Sequence, residues 1–234
     1  MNENLDLEAY LFLLPNKLLI SLFDPKNLKN YYIDEVKLEN KTNSIDEHKL
    51  NKFLDKNIFK IEKLIGKFLK NIFLVIENDK IFSLDMGIKK KNYDKIIKRK
   101  LLEKTLIDAK ELFNENYKEK IIMHIIIQKL LIDGKLYSFP QDNLECNNFC
   151  LEVQFRSISL SLTHEIEKVL EKYQIQIIQY LDGNYIKNFF NNSDLDFIQK
   201  THSIKNGYNE NEVKIVPKNI KNIGFFERFF QLFS

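Results

Sequence analysis

The sequence predicts an α+β fold in two parts, and three observations predict it. Apolar runs at residues 10–14 and 18–23 flank Pro15-Asn16-Lys17 and read as a β-hairpin with a short turn. Residues 50–69 carry apolar side chains at intervals of three and four, the period of a helix with one buried face. Residues 121–181 read as two strands, a helix and a closing strand, expected to form an αβ unit with its own core. The chain of 234 residues can bury such cores, and at 44% hydrophobic and 29% charged residues it is too apolar for general disorder.

Taken in order, Asp24-Pro25 ends the hairpin, because the residue before proline leaves helical space. Residues 31–38 form a weaker third strand. Ser44 and Glu47 have the spacing of a capping box ahead of the long helix. Leu50, Phe53, Leu54, Ile58, Ile61, Ile65, Phe68 and Leu69 make its buried stripe, and Gly66 weakens it by about 1 kcal/mol relative to alanine. Residues 72–76 are a strand, 77–80 a turn, and 81–84 a further strand. A basic run, Lys89-Lys90-Lys91 with Lys95, Lys98, Arg99 and Lys100, enters a second helix with Ile97, Leu101, Leu102, Leu106, Ala109 and Phe113 inside. A solvated helix face accounts for these lysines. The sharper reading, a nucleic-acid or anionic-lipid footprint, lacks the interleaved aromatic residues that stack bases.

The αβ unit opens with the strand 121–128, turns at Asp133-Gly134, returns as 150–155, continues as a helix from His164 to Lys172 and ends in the strand 175–181. Asp182-Gly183 is a second turn, followed by a short apolar piece at 185–190. Residues 191–222 are rich in Asn, Lys and Glu with no sustained apolar period, and read as a flexible linker. Its part from 199 to 222 spans about 25 Å as a random coil. At about 100° per residue, Phe225, Phe226, Phe229, Phe230, Leu232 and Phe233 fall in one arc of about 160°, with Glu227, Arg228, Gln231 and Ser234 opposite. Ten residues are too few for an isolated helix in water, so this amphipathic segment needs a surface, either the protein's own core or lipid. Five phenylalanine rings supply at most about 10 kcal/mol of burial. Lys214, Lys218, Lys221 and Arg228 add about 1 kcal/mol each beside an anionic leaflet.

Several chemistries are excluded. The chain has neither a Walker-type nor a dinucleotide-type glycine loop, and six glycines leave little material for a phosphate cradle. No serine sits in a nucleophile elbow. Cys146 and Cys150 are spaced C-x-x-x-C with no second pair, and His48, His124, His164 and His202 are scattered, which argues against metal. Cys150 has no basic neighbour to activate it. His124 lies among isoleucines and reads as a buried, hydrogen-bonded structural residue. Asp133 and Asp182 read as turn residues. No catalytic, cofactor-binding or metal residue is assigned, and no enzyme is expected. A net charge of +3 does not argue for nucleic acid. Glu3, Asp6 and Glu8 stand where a secretion signal carries positive charge. The apolar run after them, of about 14 residues, is too short and broken to span a bilayer, so a cytoplasmic location is expected.

These motifs resemble the insert domain of the bacterial cell-division protein FtsA. Residues 121–128, then Leu131-Ile132-Asp133-Gly134, then Leu151-Glu152-Val153-Gln154-Phe155 are similar to that family's "lHvIPq.y.iDg" strand pair and the strand after it. The intervening loop, residues 139–144, keeps a proline at Pro140. Residues 165–181 resemble the family's following helix and strand, with Tyr173-Gln174 where a glycine is frequent. Upstream, residues 77–88 resemble its "sg.hi.s.n..G.v.i" segment, and the helix from Asp94 resembles the one leading into the insert. The carboxy-terminal amphipathic segment resembles its membrane-targeting helix. The likeness covers about residues 10–190 and the last dozen.

The resemblance implies a partial actin-like (ribonuclease H-like) first-lobe half and a strand-helix-strand-strand insert domain, then a flexible linker and an amphipathic terminal helix. Domain bounds follow: 1–83 a degenerate actin-like half-lobe, 84–190 the insert, 191–222 the linker, 223–234 the anchor. In the family the first hairpin carries a D-x-G-[TS] phosphate loop, but the corresponding turn here is Phe12-Leu13-Leu14-Pro15-Asn16-Lys17, with the acid and the glycine missing and only the lysine kept, so loss of ATP binding is implied. The family's second lobe, which holds the division tubulin FtsZ, has no counterpart before the linker. The implied function is a non-enzymatic, membrane-associated adaptor in septum and divisome assembly, at the cytoplasmic face of the plasma membrane. It would self-associate or bind division proteins, FtsZ or late membrane division proteins, through the insert. Inner-membrane lipids would be held by Phe225, Phe226, Phe229, Phe230, Phe233, Arg228 and Lys221. Two other readings stand beside it: a soluble protein-binding domain outside division with the terminal helix packed on its own core, and a minimal nucleotide-binding protein of the actin class.

Overall fold

A computed structural model describes residues 6–38, 46–137, 145–191 and 193–214. The fold is α+β, with two sheets in two compact units. The first unit draws on the chain up to Ile81 and on Leu160–Tyr208. The second draws on Phe82–Ser159 and, among the described residues, on 209–214.

The first unit is a five-stranded mixed sheet of order β3-β2-β1-β4-β9. Strands β1 (Glu8–Leu14) and β2 (Lys17–Asp24) form the expected hairpin, with Leu13 opposite Leu18 across the Pro15-Asn16 turn. Strand β3 (Lys29–Lys37) is the outer edge. Strand β4 (Asn71–Ile76) runs parallel to β1, and β9 (Gln176–Asp182) runs parallel to β4. From Ala9 to Leu14 every residue of β1 is buried, the signature of a strand covered on both faces. Helix α1 (Glu47–Ile65) covers the face of Ala9, Leu22 and Tyr32, where the Tyr32 hydroxyl donates to the Asn57 carboxamide. Helix α5 (Phe197–Lys205) covers the other: Phe197 lies 5.3 Å from Phe12, His202 lies 4.9 Å from Phe23, and the Lys205 ammonium sits 4.7 Å over Phe73. Helix α4 (Gly183–Phe189) packs with α5.

The second unit is an antiparallel sheet of order β5-β8-β6-β7. Its strands are β5 (Phe82–Ile96), β6 (Lys120–Ile132), β7 (Lys135–Tyr137) and β8 (Glu145–Ser159). Helix α2 (Arg99–Asn116) lies on one face. Alternate residues of β8, Phe149, Leu151, Val153 and Phe155, point into a core completed by Leu102, Leu106, Ala109 and Phe113. Phe113 stacks on Phe155 with ring centroids 4.8 Å apart.

Several expectations are corrected. Helix α1 is capped by Asp46, whose carboxylate accepts from the Lys49 amide at 3.0 Å; Ser44 lies outside the described residues. Gly66 does not weaken the helix but ends it. At φ 68° it takes the left-handed cap that favours glycine, and its amide donates to the Glu62 carbonyl. Phe68 therefore lies beyond the helix and is exposed. The basic residues Lys89, Lys90, Lys91 and Lys95 belong to strand β5, not to the approach of a helix, and Asp94 lies in its irregular end, so α2 starts only at Arg99. Helix α3 (Leu160–Glu171) and strand β9, expected to close the 121–181 unit, belong to the first unit, because β9 pairs with β4. Asp182 caps α4, accepting from the Asn184 and Tyr185 amides at 2.9 and 3.3 Å.

The largest correction concerns residues 191–222. Helix α5 lies within them, with Ile198, Thr201 and Ile204 buried and a capping box between Asp196 and Gln199. Residues 209–214 are also ordered against the second unit. Of the expected linker, Asn192 and residues 215–222 lie outside the described residues, as do the loop at 139–144 and the segment 223–234.

Replacing Asp196 with alanine removes the α5 cap and is expected to cost about 1 kcal/mol in urea unfolding. An unchanged midpoint would return this stretch to the status of a linker.

Candidate functional site

The hairpin turn, where the resemblance places a phosphate loop, is closed by its own neighbours. The Lys17 ammonium donates to the Glu35 carboxylate at 2.6 Å, and the Leu38 amide donates to the Asn16 carbonyl at 2.7 Å. The retained lysine is thus neutralised by a carboxylate, and the turn has no glycine through which a phosphate could approach backbone amides. Nearby, Gly183 lies where an added Cβ would meet Glu77 Cβ at 3.3 Å and the Ile76 carbonyl at 3.4 Å, so its small size serves packing of α4 on β4.

Two ionic clusters that resemble catalytic groups also serve the fold. In the first unit the Glu8 carboxylate accepts from Tyr10, from His202 Nδ1 at 2.8 Å and from Lys205 Nζ at 2.7 Å. Burial alone raises the pKa of Glu8, but these hydrogen bonds and the Lys205 charge bring it down to about 2. Burial, then the charge and hydrogen bond of Glu8, hold the Tyr10 hydroxyl far above its usual range. With three donors on one carboxylate, the cluster fastens β1 to α5. Sequence reasoning missed it because Glu8 and His202 lie 194 positions apart.

In the second unit His124 is fully buried, as expected, and its Nδ1 lies 2.6 Å from Glu212. Glu212 belongs to a short strap at 209–214 that runs antiparallel along the edge of β6. The Val213 amide donates to the Ile125 carbonyl at 2.8 Å, and the Ile127 amide donates to the Asn211 carbonyl at 2.8 Å. Val213 enters the core beside Ile125 and Ile127. The histidine was legible as structural; its partner, hidden in apparent linker composition, was not.

The sheet face opposite α2 is polar. Gln154 donates to Asp85 at 2.9 Å and Lys129 to Glu152 at 2.8 Å, and Lys89 and Lys91 stand exposed beside them. Lys90 pairs with Asp108 of α2. Asp133 holds its turn by accepting from the Asn147 and Asn148 amides. Burial pushes the Cys146 thiol above its usual range, the opposite of activation. Among the described residues no cluster of His, Cys, Asp or Glu could hold a metal ion, and no helix is long and apolar enough to cross a membrane. Lys221, Phe225, Phe226, Arg228, Phe229, Phe230 and Phe233 lie outside the described residues.

No protein-family model matches the chain. No curated protein matches it either. Among solved structures, it is similar to a chain of the PilM–PilN type IV pilus biogenesis complex, at 8% identity and a TM-score of 0.45, over 78% of this chain and 49% of that one. It is also similar to the cytoplasmic domain of EpsL, an inner-membrane component of the type II secretion system of Vibrio cholerae. There the identity is 8% and the TM-score 0.35, over 77% of this chain and 57% of that one. A Bacteroides thetaiotaomicron protein with an actin-like ATPase fold and unknown function is similar at 14% identity and a TM-score of 0.35, over 80% and 56%. The chain thus spans about half the length of the structures it matches.

Because its folded pKa of about 2 lies below the ordinary 4.5, Glu8 stabilises the fold fully above about pH 4.5, and this is lost as pH falls towards 2. In acid titrations followed by circular dichroism, Glu8→Gln is expected to be less stable at neutral pH and to lose less between pH 4.5 and 2. An acid limb identical to that of the wild type would remove the cluster from this account.

Proposed function

We propose that the chain is a non-enzymatic, membrane-associated adaptor, acting on the cytoplasmic face of the plasma membrane in division-site assembly. One observation carries the non-catalytic part: the hairpin turn has lost its acid and glycine, and its lysine is spent on Glu35 at 2.6 Å. The order of FtsA-like motifs through residues 77–181 supports the division reading. The second unit is the surface assigned to protein contact, with self-association, FtsZ or late membrane division proteins as its partners. The segregated phenylalanine face at 225–233, with Arg228 and Lys221, is the part assigned to inner-membrane lipid. No nucleic-acid partner and no cofactor are proposed.

A second reading has an observation of its own. The chain is held to β6 as far as Val213, so the segment 223–234 starts within a short reach of folded protein. That favours a protein-binding domain outside division whose terminal helix packs on its own core.

Flotation with anionic vesicles separates the two. The adaptor reading expects the full chain to float and Phe226→Glu with Phe230→Glu to abolish flotation. Equal flotation by both proteins, or none by either, would reject the anchor.

A further inference from the structure

The strap at 209–214 behaves as a bound peptide rather than as a connecting loop. It lies antiparallel on β6 with two main-chain hydrogen bonds of 2.8 Å, from Val213 to Ile125 and from Ile127 to Asn211. Its Glu212 carboxylate meets the buried His124 ring at 2.6 Å, and its Val213 side chain fills the core. Main-chain pairing supplies affinity here, and alternate side-chain pockets supply specificity, as in strand addition. The edge of β6 is therefore a docking site for an extended segment carrying a carboxylate followed by a β-branched aliphatic residue. Strand β7 leaves this stretch open, because it pairs only with Leu130–Ile132.

We propose that this edge also accepts the same strap from a second copy of the chain, so that copies associate by reciprocal strand exchange. The occupant is fixed by what the site already holds: Asn211, Glu212 and Val213 satisfy its hydrogen bonds, its histidine and its core. The strap follows α5 through Asn206, Gly207 and Tyr208, and Gly207 sits at φ 84°, where the chain turns. Extending that hinge carries the strap away without altering any contact it makes once docked, which is why exchange is a low-cost route to association. Closure within one chain is favoured in dilute solution, since a short hinge gives an effective concentration of order mM. Exchange gains ground when copies are crowded. This deepens the self-association part of the proposed function and rests on it for the crowding that a membrane would provide.

Mixing tests the exchange directly. In a background of Cys146→Ala and Cys150→Ala, full chains bearing Asn211→Cys are mixed with full chains bearing Ile127→Cys at high protein concentration and oxidised. The result expected is a disulfide-linked heterodimer that forms in the mixture, is absent from either protein alone, and is lost when Glu212→Ala is added to the Asn211→Cys chain. A single chain carrying both cysteines is expected to close internally, which reports that the pair can bond and that the variants fold. Deletion of Gly207 and Tyr208 is expected to double the mass seen by light scattering, because a shortened hinge closes poorly within one chain. Internal closure without any heterodimer in the mixture, and a monomeric mass for the deletion, would overturn the proposal. No lipid enters this test, so its failure leaves flotation untouched, and failed flotation leaves strand exchange untouched.

Discussion

The structure depends on the parallel pairing of β4 with β9. Parallel neighbours cannot be joined by a tight turn and need a long crossover. Here the crossover contains the whole of Phe82–Ser159 and then helix α3. The second unit is thus an insertion between two adjacent strands of the first sheet, and the first unit is complete only when the chain returns at residue 176. Helix α5 then covers the face carrying Tyr10, Phe12, Phe23 and Phe73, and Glu8 binds His202 and Lys205 beneath it. Each later element depends on that return.

The chain's most reactive-looking groups are consumed by this architecture. Lys17 answers Glu35, Glu8 holds three donors, His124 holds Glu212, and the buried Cys146 thiol is pushed away from ionisation. At the largely buried Glu8 such charge-assisted bonds are strong, because buried charges leave water only when paired, whereas the exposed Lys17–Glu35 pair contributes little to stability. The polar sheet face of the second unit keeps Lys89 and Lys91 exposed.

Local pattern made much of the fold legible. The hairpin, the buried stripe of α1, strand β6 and helix α3 follow from alternation or from the three-four period. What escaped was long-range or disguised. Nothing in residues 175–181 says which sheet they join, since a strand's local pattern is the same beside β4 as beside β6. The alternation Phe82, Leu84, Met86, Ile88 with Ser83, Asp85, Gly87, Lys89 announces a strand reaching Lys90, but the lysine run drew the reading towards a helix. Helix α5 is nine residues long with a threonine among its three buried positions, too little for a periodic window; the Asp196–Gln199 capping spacing was its one visible sign. The site was legible only in part: the altered hairpin turn could be read, whereas the Glu8 cluster and the strap join residues 194 and 88 positions apart.

We propose that the hairpin of β1 and β2 serves the fold and binds no nucleotide. Isothermal titration calorimetry of the full chain with ATP and Mg²⁺ tests it most directly. No saturable heat is expected, and no binding appears when Glu35→Gln releases Lys17. Saturable tight binding by the unaltered chain would contradict it.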